Sequence, residues 1–173
     1  VWPVQAKRLV NFDNVVQTWS PVGDVYISNT KEQIRIDVVP SNGRGIAKVG
    51  VAVASDPAEF AKVLDNKGQP KLSLFTYVTE YKKAVTSHRQ LVDMSTLTIQ
   101  PCWAVDPVKC PPNRYVLVAV ELQGIEQMAY AGNGGIFDRY IPAQLTGLAW
   151  GLYVTYPLAK AEPGHFVDAN VSG

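Results

Sequence analysis

Along most of this chain apolar and polar residues alternate with a period of two, and Gly, Pro and Asn cut the alternation into short segments. That period places successive side chains on opposite faces of a strand, so one face packs and the other meets water. In Gln33-Ile34-Arg35-Ile36-Asp37-Val38 the apolar residues fall at every second position, which predicts a packed Ile34/Ile36/Val38 face and a wet Arg35/Asp37 face. Residues 46–54 are richer in Val and Ala and predict a strand buried on both sides. Residues 114–122 predict another strand, with Val116, Val118 and Val120 on one face and Leu117, Ala119 and Glu121 on the other. Leu72, Leu74, Thr76 and Val78 alternate with Ser73, Phe75, Tyr77 and Thr79, a β-prone run with aromatics on its second face. Residues 148–158 predict a long closing strand that sets Trp150, Leu152, Val154 and Tyr156 on one side. Residues 22–28 and 96–100 add shorter strands.

One helix is signalled. Asp56-Pro57-Ala58-Glu59 combines a capping carboxylate, a proline at the first helical position and a glutamate three residues after the cap. Phe60, Val63 and Leu64 supply an apolar face, and Asn66-Lys67-Gly68 ends the segment after about two turns. Residues 89–94 read as a second short turn. Strands at this spacing lack the crossover helices that parallel βαβ units require. The expected architecture is all-β, one domain over residues 1–173, a two-sheet antiparallel sandwich of jelly-roll type with one or two short helices.

Composition narrows the function classes. The 173 residues are 47% hydrophobic and 18% charged, the balance of a folded globule. A formal net charge of +1 gives no electrostatic case for wrapping nucleic acid. No apolar run approaches the roughly 18 residues that cross a bilayer, so no membrane partner is expected. The start, Val1-Trp2-Pro3-Val4, has neither the basic nor the apolar part of a secretory signal, and its lack of an initiator Met leads us to expect residues upstream. Cys102 and Cys110, set among Pro101, Pro107, Pro111 and Pro112, are close enough in sequence for a disulfide but equally suit two free thiols.

Candidate chemistry is sparse. Ser87 and His88 are neighbours, and neighbours on a strand point apart, which argues against a nucleophile–base pair. His88 beside Arg89 reads as a surface loop residue, and His165 lies in the tail after Pro163-Gly164. Gly132-Asn133-Gly134-Gly135 lacks the Lys-Ser/Thr of a phosphate loop and reads as a turn. Asn170-Val171-Ser172 matches a glycosylation tripeptide without a secretory context. No catalytic residue is assigned, and an enzyme is not expected. Asp13, Asp24, Asp106 and Asp138 fall in predicted loops, where carboxylate oxygens could converge on a calcium ion within or between subunits. The simpler reading is that aspartate favours turns for its own local hydrogen bonds. Trp19, Trp103, Tyr130 and Tyr140 are placed in or beside loops, as anchors for a sugar or protein partner or as rings that fold back and bury.

The order of elements resembles the jelly roll of coat proteins from small icosahedral RNA viruses. The similarity rests on Val49-Gly50-Val51-Ala52-Val53 running into Ser55-Asp56-Pro57-Ala58-Glu59, the aromatic middle strands, Tyr115-Val116-Leu117-Val118-Ala119-Val120, and the closing Gly147-Leu148-Ala149-Trp150-Gly151-Leu152-Tyr153-Val154-Thr155-Tyr156. The resemblance implies a capsid subunit that associates with identical or related subunits around genomic RNA, in the virion and, during assembly, in the host cytoplasm. It departs from the family in starting without a basic arm, so RNA contact is expected from another segment. The alternative from the residues themselves is a carbohydrate- or protein-binding β-sandwich module that uses its loop aromatics.

Overall fold

The computed structural model describes residues 4–13, 18–66, 70–97, 113–125, 127–132, 139–140 and 152–159. Among them the chain is mostly strand, and every paired strand is antiparallel to its neighbour. β1 (Gln5–Asp13), β2 (Thr18–Asn29) and β3 (Gln33–Pro40) form a meander. β4 (Ile46–Ala54) lies between β5 (Tyr77–Val85) and β7 (Asn113–Leu122). β6 (His88–Asp93) pairs with β3, and the short β8 (Ala129–Ala131) bridges β7 and β1. β9 (Arg139–Tyr140) pairs with β10 (Leu152–Pro157), which extends along the first residues of β7. The spatial order β5-β4-β7-β8-β1-β2-β3-β6 is a single sheet nearly closed into a barrel, with β5 and β6 as its ends. The all-β, antiparallel class is therefore present, in the form of one curled sheet.

Alternation along each strand sorts the core into an inside and an outside. Val25, Ile27, Ile34, Ile36, Val38, Val49, Val51, Val116, Val118 and Val120 fill the interior. Val10, Ala52, Ala54, Leu117, Ala119, Tyr130 and Tyr153 point the other way and are covered by Phe60, Val63, Leu72 and Phe75 from the β4–β5 connection. β4 and β7 are thus buried on both faces, as the Val- and Ala-rich pattern of residues 46–54 predicts. Gly50 marks the close approach: a Cβ there would meet Leu72 Cδ2 at 2.5 Å and the Phe75 ring at 2.9 Å.

The connection departs from the expected helix in its winding. Pro57–Val63 is a 3-10 segment with Asp56 as its cap, and the Asp56 carboxylate accepts from Ala58 N at 2.9 Å. Glu59 reaches back to accept from Ser55 N at 2.9 Å, so the capping signature is realised. The tighter winding lays Phe60 and Val63 flat on the outer face, while Leu64 remains half-buried. Leu72–Leu74 is also 3-10 where a strand was expected, because Leu72 and Phe75 are drawn onto the sheet above Gly50; the strand begins only at Tyr77. Residues 89–93 belong to strand β6 rather than a turn, and the 3-10 turn falls at Met94–Thr96, meeting the strand expected at 96–100 only at Thr96.

The Arg35/Asp37 face of β3 is not wet. Arg35 is 4% exposed and Asp37 9%, because Ser28 and Tyr26 on β2 and Leu91 and Arg89 on β6 flank them in register. The two charges are kept together, Arg35 Nε lying 3.5 Å from Asp37 Oδ2. Arg89 adds a second cation, its Nε donating to Asp37 Oδ1 at 2.7 Å. Pairing of this kind is what lets charge sit in a low-exposure position.

The closing strand is described from Leu152 onward, and its Val154 and Tyr156 join the interior while Tyr153 packs outside. Trp150 and the Leu152 side chain lie outside the described residues.

Candidate functional site

Among the described residues the sheet ends at β5 and β6, and the barrel is not closed between them. Tyr77, Thr79 and Tyr81 of β5 are half-buried on its inner face, and Val78, Glu80 and Lys82 are exposed on its outer face. β6 alternates in the same way: His88, Gln90 and Val92 turn inward, and Arg89, Leu91 and Asp93 face out. Inside the opening the Tyr81 hydroxyl lies 2.6 Å from His88 Nδ1, and the two rings meet edge-on with centroids 5.8 Å apart.

His88 is 7% exposed, which corrects its expected place in a surface loop. It pairs with Val38 of β3, one strand in from the sheet end, and that register turns its ring inward. Burial holds its pKa below the ordinary 6.5, against the upward pull of the Gln90 side chain and the Asp37 carboxylate. The missed signal was the alternation His88-Gln90-Val92 against Arg89-Leu91-Asp93, a strand period that a helical reading of residues 89–94 obscures.

On the outer side the β6 edge is polar at both ends with an apolar centre. Leu91 is 41% exposed and the Arg89 side chain 52%. Asp93 is exposed, and its carboxylate accepts from Ser95 N at 2.9 Å, a bond that lowers its pKa and keeps it charged. The backbone phase of β6 is fixed by Met94 N donating to Glu32 O at 2.8 Å, on the β3 side. Backbone groups alternate direction along a strand, so those of Arg89, Leu91 and Asp93 point away from β3. Side chains meet two of their carbonyls: Gln90 Nε2 donates to Leu91 O at 3.1 Å, and Thr96 Oγ1 donates to Asp93 O at 2.7 Å.

The four candidate carboxylates do not form a described cluster. Asp24 is exposed in the middle of β2, opposite Arg8 and Val39, not in a loop. Asp13 ends β1, five residues beyond Arg8, which at roughly 3.3 Å per residue puts the two backbones some 17 Å apart along the ladder. The Asp13 side chain, Asp106 and Asp138 lie outside the described residues, among which no group of three or more His, Cys, Asp or Glu side chains suits a metal ion.

The aromatic rim is corrected at two positions. Tyr130 is in β8, between Val10 and Ala119, and is 5% exposed, with its phenol pKa raised by burial. Trp19 is in β2, half-buried, and packs edge-on against Tyr130 with centroids 6.3 Å apart. Both rings belong to the outer core because the short β8 threads between β1 and β7 just there. Tyr140 is in β9 with its side chain outside the described residues, as is Trp103 altogether. Cys102, Cys110, His165, residues 133–135 of the glycine turn and residues 170–172 also fall outside them. Comparisons with protein families, curated proteins and solved structures find no match to this chain.

Proposed function

We propose that this chain is a structural subunit that associates with copies of itself into a closed symmetric shell, in the manner of coat proteins of small icosahedral RNA viruses. The jelly-roll form of the barrel belongs to the same proposal. The observation that carries it is that, among the described residues, the sheet ends at β5 and β6, each with a large apolar side chain turned outward: Val78 at 42% and Leu91 at 41% exposure. An edge strand of this kind is a template for pairing with another chain. The doubly covered β4 and β7 supply a stiff wall, and the edges and loops supply the contacts.

In this reading the cargo, RNA, is met elsewhere than on the near-neutral body of net charge +1. Of the four carboxylates considered for calcium, Asp24 is the one whose side chain is described, and it is exposed. A sugar-binding role loses its described platform, since Trp19 packs on Tyr130. The test is the size of the expressed full chain by light scattering and electron microscopy. Closed particles support the proposal, and a strictly monomeric species across salt and pH overturns it.

A further inference from the structure

We infer that Asn42 is a modification site, an asparagine whose side-chain amide is lost to water after attack by the backbone nitrogen of Gly43. Ser41, Asn42 and Gly43 form the 3-10 turn between β3 and β4, and all three are exposed. Arg44 N closes the turn by donating to Ser41 O at 3.1 Å. Asn42 holds φ 57 and ψ 30, and Gly43 holds φ 66, so two successive residues at the tip are left-handed. A Cβ built on Gly43 meets nothing within 4 Å, so the space beside that residue is open. The Asn42 amide has no hydrogen-bond partner among the described residues.

The other described asparagines each lack part of this set. Asn29 is fully buried, its amide is hydrogen-bonded at both ends, and Thr30 follows it. Asn11 Nδ2 donates to Gln127 O at 3.0 Å, and Phe12 follows. Asn113 is paired with Pro157 and precedes Arg114. Asn66 is exposed, but Lys67 follows it, and a side chain hinders its own backbone nitrogen in a way that glycine does not.

The step is balanced without an oxidant or a reductant. Gly43 N loses its proton and bonds to Asn42 Cγ, the Cγ–Nδ2 bond breaks, and the nitrogen leaves as ammonia carrying that proton. The cyclic imide then adds one water at either carbonyl carbon and opens to aspartate or to isoaspartate. Attack needs Asn42 to rotate out of ψ 30, and the left-handed conformation is one that an L residue leaves readily. Either product sets a carboxylate on the tip beside Arg44 and cancels the formal net charge of +1. The isoaspartyl form also adds one methylene to the main chain. Pro40 stays in register with Gly23 and Ile46 with Leu122, which confines that change to the turn.

The test is peptide mapping by mass spectrometry of the folded full chain, incubated at mildly alkaline pH in heavy-oxygen water. A synthetic peptide of residues 38–47 in the same buffer serves as the clock, and circular dichroism confirms that the chain stays folded. The pair Asn133-Gly134 falls in a separate peptide and is read apart. The expected result is loss of the amide at Asn42, with one heavy oxygen gained and both aspartate and isoaspartate formed, while Asn29 and Asn66 keep their amides. An isoaspartyl methyltransferase with labelled methyl donor should mark the same peptide. An Asn42 amide that survives in the folded chain after the clock peptide has converted overturns the inference, since the turn then holds Asn42 away from attack. Loss at Asn66 as fast as at Asn42 also overturns it, because exposure alone would then set the rate. Conversion to aspartate with no isoaspartate overturns the route through Gly43 N.

Discussion

The Tyr156 hydroxyl donates to Asn29 Oδ1 at 2.6 Å, joining the end of the described chain to the β2–β3 turn across 127 residues of sequence. Asn29 is fully buried, and its Oδ1 also accepts from Ala159 N at 2.8 Å while its Nδ2 donates to Ala159 O at 3.1 Å. One amide thus ties β10 to β2, which are not sheet neighbours. Tyr156→Phe removes one buried hydrogen bond and is expected to lower stability by about 1 kcal/mol. Asn29→Ala strands the Tyr156 hydroxyl and the Ala159 backbone together, with an expected loss of about 1–3 kcal/mol or more. Urea unfolding of both variants checks the order; equal stability to the parent would mean the tie carries nothing.

The cap at Asp56 gives a local prediction. Its carboxylate meets Ala58 N, and Asp56→Ala leaves that donor without its side-chain acceptor, at an expected cost of about 1 kcal/mol. A shift within about 0.3 kcal/mol would mean the 3-10 segment is held by Phe60 and Val63 alone.

Gly50 tests the outer core. Gly50→Val pushes branched carbon into the space held by Leu72 and Phe75, and overpacking there is expected to cost about 1–3 kcal/mol. Leu72 can shift at its flexible end, but the Phe75 ring has less freedom. Full stability in the variant would place the β4–β5 connection off the sheet.

The His88 environment fixes a pH dependence. Its folded-state pKa lies below the ordinary 6.5, so the unfolded chain takes up the proton first as pH falls. The stability this histidine contributes is therefore complete above 6.5 and is lost as pH drops from there through the folded-state value. Urea midpoints of the parent and of His88→Gln should diverge in slope over that window, the parent falling and the variant staying flatter. Parallel profiles would mean His88 does not take part.

How far the sequence reached depends on what decided each element. Strands β3, β4 and β7 were legible because period-two alternation and Val content follow directly from packing against a core. The Asp56 cap was legible as local hydrogen-bond chemistry, but the winding after it was not, since the sheet face under Phe60 sets it. Arg35, Asp37 and Tyr130 were misjudged for one reason: each is flanked by a strand distant in sequence, β6 for Arg35 and Asp37 and β1 for Tyr130, whose position local pattern does not carry. The β6 edge was hidden by a histidine and an arginine that imitate a loop.

Particle size is the measurement that bears most directly on the whole account. Light scattering of the purified full chain near neutral pH and moderate salt, followed by electron microscopy, should give a closed particle of many subunits. A species that stays at the mass of one chain through changes of salt, pH and protein concentration would contradict it.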